Sequence, residues 1–204
     1  MDGYVQVSLK DMLESVGEDR VKAILSTFSC PLNRDVERYL RGTAAIDYAK
    51  QSLSPTHLVF TSYKNQMVLI GYYTFVVKFF IIKDSSKMSY NLRKRINKFC
   101  ERDEELKCRR IAAPLIAQLG KNFTNGYNKL ITGDELLKLA FDKIAMAQSI
   151  IGGKIAYIEC EDKTPLLDFY SSNGFVEFDR RPLDKDETID LDGKYLIQML
   201  KYMK

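Results

Sequence analysis

Residues 164–178 read TPLLDFYSSNGFVEF, and the fold turns on how this stretch is read. Its first part predicts a helix over Thr164–Ser172. Pro165 falls in the first turn, where a missing N–H costs nothing. Phe169-Tyr170, three residues and then Gly174-Phe175 close that helix and open a strand, GFVEF. Working backwards, KIAYIEC at 154–160 predicts a strand rich in β-formers. DELLKLAFDKIAMAQSI at 134–150 predicts a helix, with Leu136, Leu137, Ala140, Phe141, Ile144, Ala145 and Ala147 on its apolar face. Gly152-Gly153 would end it. IAAPLIAQLGKN at 111–122 reads as a strand in which Pro114 and Gly120 predict an edge position or a broken ladder.

The N-terminal half completes an α/β pattern. A short strand over 4–8 leads into helices at 9–16 and 18–27, separated at Gly17. Residues 33–53 carry Val36, Leu40, Ala44 and Tyr48 at a spacing of four, which predicts one helix capped by Asn33 or Asp35. HLVFTSY, a turn at Lys64-Asn65 and QMVLIGYYTFVVKFFIIK predict a hairpin whose long second strand is covered on both faces. Residues 84–110 break this pattern with nine Lys/Arg against five Asp/Glu. They read as a charged surface excursion or as a basic lip for an anionic partner. Residues 179–193 read as an acidic, mobile connection before a last strand, YLIQMLKYM.

Composition narrows the chemistry. The chain has 204 residues, 46% hydrophobic and 28% charged, with a net charge of +4. That is one globular domain's worth of chain, with too small an excess to mark a nucleic-acid protein by itself. Cys30, Cys100, Cys108 and Cys160 are scattered, and His57 is the only histidine. A dedicated metal site and a disulfide framework are both disfavoured, and reduced thiols suggest the cytoplasm. A histidine-dependent hydrolase would have to use His57, which reads as an ordinary strand residue. No signal peptide is visible. The apolar run at 67–82 is interrupted and falls short of the ~20 residues needed to cross a bilayer.

The C-terminal motifs resemble those of the GNAT family of acetyl-CoA-dependent N-acetyltransferases. The matching pieces are the strand LIAQLGKN, the loop and helix YNKLITGDELL, and Phe169-Tyr170 followed after three residues by Gly174-Phe175. The resemblance implies a single domain over 1–204, with a helical extension at about 9–27 and a basic insertion at about 84–110. It implies a mixed, mostly antiparallel sheet of about six or seven strands flanked by helices, split between the family's fourth and fifth strands. Phe28-Ser29-Cys30, Tyr39-Leu40, His57-Leu58-Val59 and Gly71-Tyr72-Tyr73 resemble the family's toxin-like branch more loosely.

The resemblance also implies a site. Acetyl-CoA would be the co-substrate, with no metal. Leu119 and Lys121 would offer backbone groups to the pantetheine arm, and a backbone N–H at Leu119 or Gly120 would polarise the thioester. The phosphate loop aligns on Asn128, Lys129, Leu130, Ile131, Thr132 and Gly133. Ile131, Thr132, Gly133 and Asp134 would offer N–H groups to the pyrophosphate, as helix N-termini do. Lys129 is a candidate counter-charge, and the Asp134 side chain should turn away from phosphate. The loop departs from the family pattern, because Asn128 replaces its first residue and Ile131 its first glycine. A β-branched residue resists positive φ, which motivates an alternative: a binding or regulatory module that kept the fold and lost turnover.

Tyr170 is the candidate general acid for the leaving thiolate. No general base stands out; water, Glu159 and Glu161 are all open. Cys160 reads as a buried strand residue rather than a nucleophile. The implied activity is direct acetyl transfer to a primary amine in a ternary complex. The toxin-like branch would make aminoacyl-tRNA the acceptor, with Arg93, Lys94 and Arg95 on its phosphates. The small net charge leaves tRNA admitted but not favoured. A homodimer is left open, and no membrane is expected as a partner.

Overall fold

The computed structural model of the chain describes residues 3–86, 88–185 and 187–203. Lys87 of the basic segment and Asp186 of the acidic loop lie outside the described residues. The N-terminal elements are β1 (Tyr4–Ser8), α1 (Leu9–Val16), α2 (Glu18–Leu25), α3 (Arg34–Arg41), α4 (Ala44–Lys50), β2 (Thr56–Tyr63) and β3 (Gln66–Lys83). They are followed by α5 (Tyr90–Ile96), β4 (Glu101–Asp103), β5 (Cys108–Lys121) and α6 (Gly133–Ile151). The last are β6 (Ile155–Glu161), α7 (Thr164–Ser172), β7 (Val176–Pro182) and β8 (Tyr195–Tyr202).

The strands run in the order β1-β2-β3-β5-β6-β8-β7, with β4 pairing β5. Pairing is antiparallel for β1–β2, β2–β3, β4–β5, β6–β8 and β7–β8, and parallel for β5–β6. This is the mixed, mostly antiparallel sheet expected. Its eighth strand is the short β4, a hairpin partner that the basic segment supplies to the start of β5. β5 is an interior strand, so the edge position expected from Pro114 is corrected. The broken ladder is present instead: β5 and β6 share one register pair, Leu115↔Tyr157. Proline has no N–H to give a ladder, and here it stands next to that pair.

The chain forms two compact units, Met1–Val76 with Ala117–Ala140, and Val77–Ile116 with Phe141–Lys204. In the first, Leu9, Val21, Leu25, Phe28, Val36, Leu40, Ile46, Leu58 and Tyr72 build the core. The single helix expected over 33–53 is two. Gly42 caps α3, its N–H bonding the Arg38 carbonyl, and α4 starts afresh after Thr43. The buried face therefore passes from Val36 and Leu40 to Ala45, Ile46 and Ala49, leaving Tyr48 exposed. Asn33 caps α3 as expected, its side chain accepting from the Val36 N–H at 3.0 Å. Lys64 and Asn65 turn the β2–β3 hairpin at positive φ, where Asn is among the tolerant residues. His57 sits in β2 against the Tyr73 and Phe75 rings.

Two glycines are required here by close approach. A Cβ on Gly120 of β5 would lie 2.4 Å from Val36 Cγ1, and one on Gly71 of β3 would lie 2.9 Å from the Gly120 carbonyl oxygen. The strand backbones and α3 close into space a methyl would fill.

In the second unit, Phe80 stacks on Tyr157 with ring centres 4.3 Å apart, and both rings meet Phe178. Cover on both faces of β3 holds only over Leu69–Thr74. Beyond it the strand alternates, with Phe80 and Ile82 buried and Val77, Phe79 and Ile81 exposed. Helix α6 takes the expected span, but Ala145 and Ala147 are exposed and Gln148 is buried, donating to the Ile155 carbonyl at 3.0 Å. The acidic connection is anchored rather than loose, because the Arg181 guanidinium forks onto both carboxylate oxygens of Glu187 at 2.6 and 2.7 Å.

Candidate functional site

The first unit carries the loop. β5 ends at Lys121, and a 3-10 stretch over Thr124–Lys129 turns back through Asn125 and Gly126, both at positive φ. The Lys121 ammonium crosses the turn and donates to the Asn128 carbonyl at 3.1 Å. Leu119 and Asn128 are half-buried and Lys129 is exposed. Ile131 is buried, with 2% of its surface exposed. It is absent from the residues with positive φ, as is Gly133. The conflict expected at Ile131 does not arise: its side chain anchors the loop in the core instead of straining the backbone.

At the start of α6, Thr132 and Glu135 form a reciprocal cap. The Glu135 N–H donates to Thr132 Oγ1 at 3.1 Å, while the Thr132 N–H and hydroxyl both donate to Glu135 Oε2 at 2.8 Å. These bonds hold the Glu135 carboxyl below the usual carboxylate range, with smaller contributions from the Tyr4 hydroxyl and Lys121. Tyr4 also donates to the Leu130 carbonyl at 3.1 Å. Asp134 lies exposed in the first turn. So of the four N–H groups expected to meet an anion, that of Thr132 already holds a carboxylate. Sequence reasoning passed over Glu135 and Tyr4, and named Lys121 only for its backbone. The pattern Thr-x-x-Glu opening a helix was the available signal.

The second unit carries Tyr170, on α7. Its ring packs edge-on against Phe169 and Phe175, with centres 5.0 and 5.6 Å away. Among the described residues no group hydrogen-bonds its hydroxyl. Burial, and then the nearby Cys160, push the phenol above its ordinary value, so it is protonated at neutral pH. Cys160 itself is buried, and desolvation with three nearby carboxylates pushes its thiol up to about 12. It is no nucleophile.

Glu159 is accounted for by its partners. Burial alone would raise its carboxyl, but bonds from Arg181, Tyr157, Lys78 and Gln198 prevail and hold it at about 2. Arg181 Nε lies 2.7 Å and Lys78 Nζ 2.9 Å from Oε2, while Gln198 Nε2 lies 3.0 Å from Oε1. A carboxylate so stabilised cannot take a proton from an ammonium, which removes it as a general base. Glu161 is paired with Lys163 at 2.7 Å.

In the basic segment, charge is partly spent. Arg102 and Arg109 pair with Asp84, and Arg110 with Asp103. Arg93 donates to the Ser86 carbonyl at 2.6 Å. Lys94, Arg95 and Lys98 line a shallow hollow of about 330 Å3 with Asn91, the Arg95 guanidinium lying over the Tyr202 ring at 5.7 Å from its centre. Among the described residues no cluster of His, Cys, Asp and Glu is placed to hold a metal ion, and no helix is long and apolar enough to cross a membrane.

Compared by sequence, the chain matches no protein-family model and no curated protein. Compared by structure, it has the fold of toxin acetyltransferases. A tyrosine-to-phenylalanine variant of the toxin KacT matches with a TM-score of 0.61 at 12% identity, over 96% of this chain and 94% of that one. A like variant of the toxin AtaT, bound to the C-terminus of the antitoxin AtaR and to acetyl-CoA, matches with a TM-score of 0.57 at 15% identity, over 96% and 92%. AtaT complexed with acetyl-methionyl-tRNAfMet matches with a TM-score of 0.59 at 13% identity, over 95% and 93%.

Proposed function

We propose that this chain is an N-acetyltransferase that moves the acetyl group of acetyl-CoA directly to a primary amine. What supports this most is the match over nearly its whole length to acetyltransferase toxins, one of them holding acetyl-CoA. The local chemistry agrees. β5 runs on to Lys121 beyond its one pair with β6, so its later residues have backbone groups for an extended pantetheine arm. In this reading Leu119 and Lys121 supply those groups, and the α6 N-terminus with Ile131, Thr132, Gly133 and Asp134 receives the diphosphate. Asn128 positions the loop through the Lys121 bond to its carbonyl. The phosphate counter-charge passes from exposed Lys129 to Lys121, whose ammonium already acts on Glu135.

Tyr170 is the proposed acid. A phenol above its ordinary value protonates a thiolate only if the surroundings raise the thiolate's proton affinity as well. A thiolate expelled into a cleft that excludes water gains proton affinity in the same sense, because desolvation disfavours its charged form. The amine nitrogen bonds to the acetyl carbon, the carbon–sulfur bond breaks, and the sulfur takes the Tyr170 proton. The amine's own proton leaves to water, which reprotonates Tyr170.

For the acceptor we favour the amino group of an aminoacyl-tRNA. The support is the fold shared with a toxin complexed with acetylated methionyl-tRNA, together with the cations Lys94, Arg95 and Lys98 around one hollow. Net charge is a poor guide here, because a local cluster sets the field that a phosphate meets. The test is thiol release from acetyl-CoA with a panel of free amines, peptides and aminoacylated tRNAs. The reading requires release with aminoacyl-tRNA. Release with small amines alone would keep the enzyme and discard this acceptor. No release with any amine would discard both.

A further inference from the structure

We propose that the outer edge of β7 is a peptide-binding groove, where an extended, uncharged segment of a partner protein adds as a further strand. This goes beyond acetyl transfer and does not depend on it. β7 stands last in the strand order, paired with β8 on one side, and among the described residues no strand pairs its other edge. A hollow of about 800 Å3 lies along residues 176–180 of β7, within the ~300–1,000 Å3 usual for ligand clefts. Five strand residues in a row run about 17 Å, the length of an extended chain rather than of a compact small molecule. Lys83, Ser85 and Ser86, at the end of β3 and in the turn after it, line the same hollow, with Ser171 and Phe175 from α7 and the turn after it. Phe175 and Phe178 add buried apolar surface to the lining. Ser86 Oγ is buried and, among the described residues, has no hydrogen-bond partner. Such orphans cost free energy and are rare in native folds. A serine hydroxyl turns among three staggered positions, so a main-chain amide or carbonyl laid beside Ser86 would complete it. The charges on the lining are already matched: Lys83 pairs with Asp179 at 2.8 Å and Arg180 with Glu177 at 3.4 Å. A charged segment would give up water there without gaining a counter-charge, so the groove selects an uncharged one. The Lys83–Asp179 pair is itself exposed, 61% on the lysine side, and so holds the two sides together only weakly.

The test selects binders of the full chain from a random hexapeptide library displayed on phage, then measures the synthesised hexapeptides by titration calorimetry and hydrogen exchange. The selected peptides should be poor in charged residues and should slow exchange of the main-chain amides over residues 176–180. N-methylation of alternate peptide amides should weaken binding about tenfold or more, as expected for main-chain hydrogen bonds lost. Ser85→Trp, which puts a large ring into the groove, should abolish binding. Ser86→Ala should weaken it about fivefold without lowering the free chain's unfolding temperature, because the hydroxyl has no partner to lose. Thermal unfolding confirms that both variants are folded. A library that yields no binder would overturn the proposal. So would binders that ignore N-methylation or Ser85→Trp, or that leave exchange over 176–180 unchanged. Protection of those amides that appears only as the free chain dimerises, measured by sedimentation, would assign the edge to a second copy and also overturn it.

Discussion

Gly120 illustrates how one residue ties packing to the site. Its neighbours in β5 are Leu119 and Lys121, and Val36, Phe28 and Tyr72 surround the place where a Cβ would go. Gly120→Ala should cost about 1–3 kcal/mol, as overpacking does, read as a lower denaturant midpoint with an unchanged slope. An unshifted midpoint would mean that α3 gives way freely. Glu159 makes a prediction in pH. Its folded carboxyl stands at about 2, below the unfolded value of roughly 4.3. Its stabilisation is therefore complete above the unfolded value and is lost as pH falls through the folded one. Stability should drop between about pH 5 and 2, and Glu159→Gln should flatten that part of the profile. A profile equally steep in the variant would contradict the network. Tyr170→Phe should lower turnover by about a hundredfold or more with little change in the KM for acetyl-CoA. Unchanged turnover would end its role as acid.

At the scale of elements, periodicity and punctuation carried most of the fold. α1 and α7 occupy their expected spans because Gly17 and Pro165 fix their ends. The loop-and-helix piece over 128–151 was legible for the same reason. What escaped was longer in range. The α3–α4 break needed Gly42 to be weighed against a spacing of four that runs through it. The interior position of β5 could not be read from Pro114, since a proline signals a missing ladder bond and not which strands flank it. The Lys78–Glu159–Arg181–Glu187 chain joins residues from β3, β6, β7 and the loop after β7, and no local pattern encodes such a meeting. The part of the site that was missed, Glu135 with Tyr4, was half local: the cap is a sequence pattern, while Tyr4 comes from β1. α5 and the turn after it carry a prediction of their own. Replacing Lys94, Arg95 and Lys98 with glutamine should weaken tRNA binding. It should also reduce the salt dependence by about 0.7–0.9 in logarithmic slope for each phosphate no longer neutralised. Filter binding at several salt concentrations measures this, and an unaltered slope would remove α5 from the acceptor surface.

For the whole molecule, the fold is shared almost end to end with acetyltransferase toxins although only 12–16% of residues are identical. Such sequence divergence is compatible with one architecture when core positions keep their apolar character and a few backbone requirements, such as the small residue at Gly120, are met. The central claim is that the diphosphate of acetyl-CoA sits on the opening turn of α6 and its acyl arm follows β5. A crystal structure of the chain grown with acetyl-CoA tests this most directly. The account predicts phosphate oxygens on the main-chain N–H groups around Thr132 and Gly133 and the pantetheine beside Leu119. A cofactor bound elsewhere would contradict it.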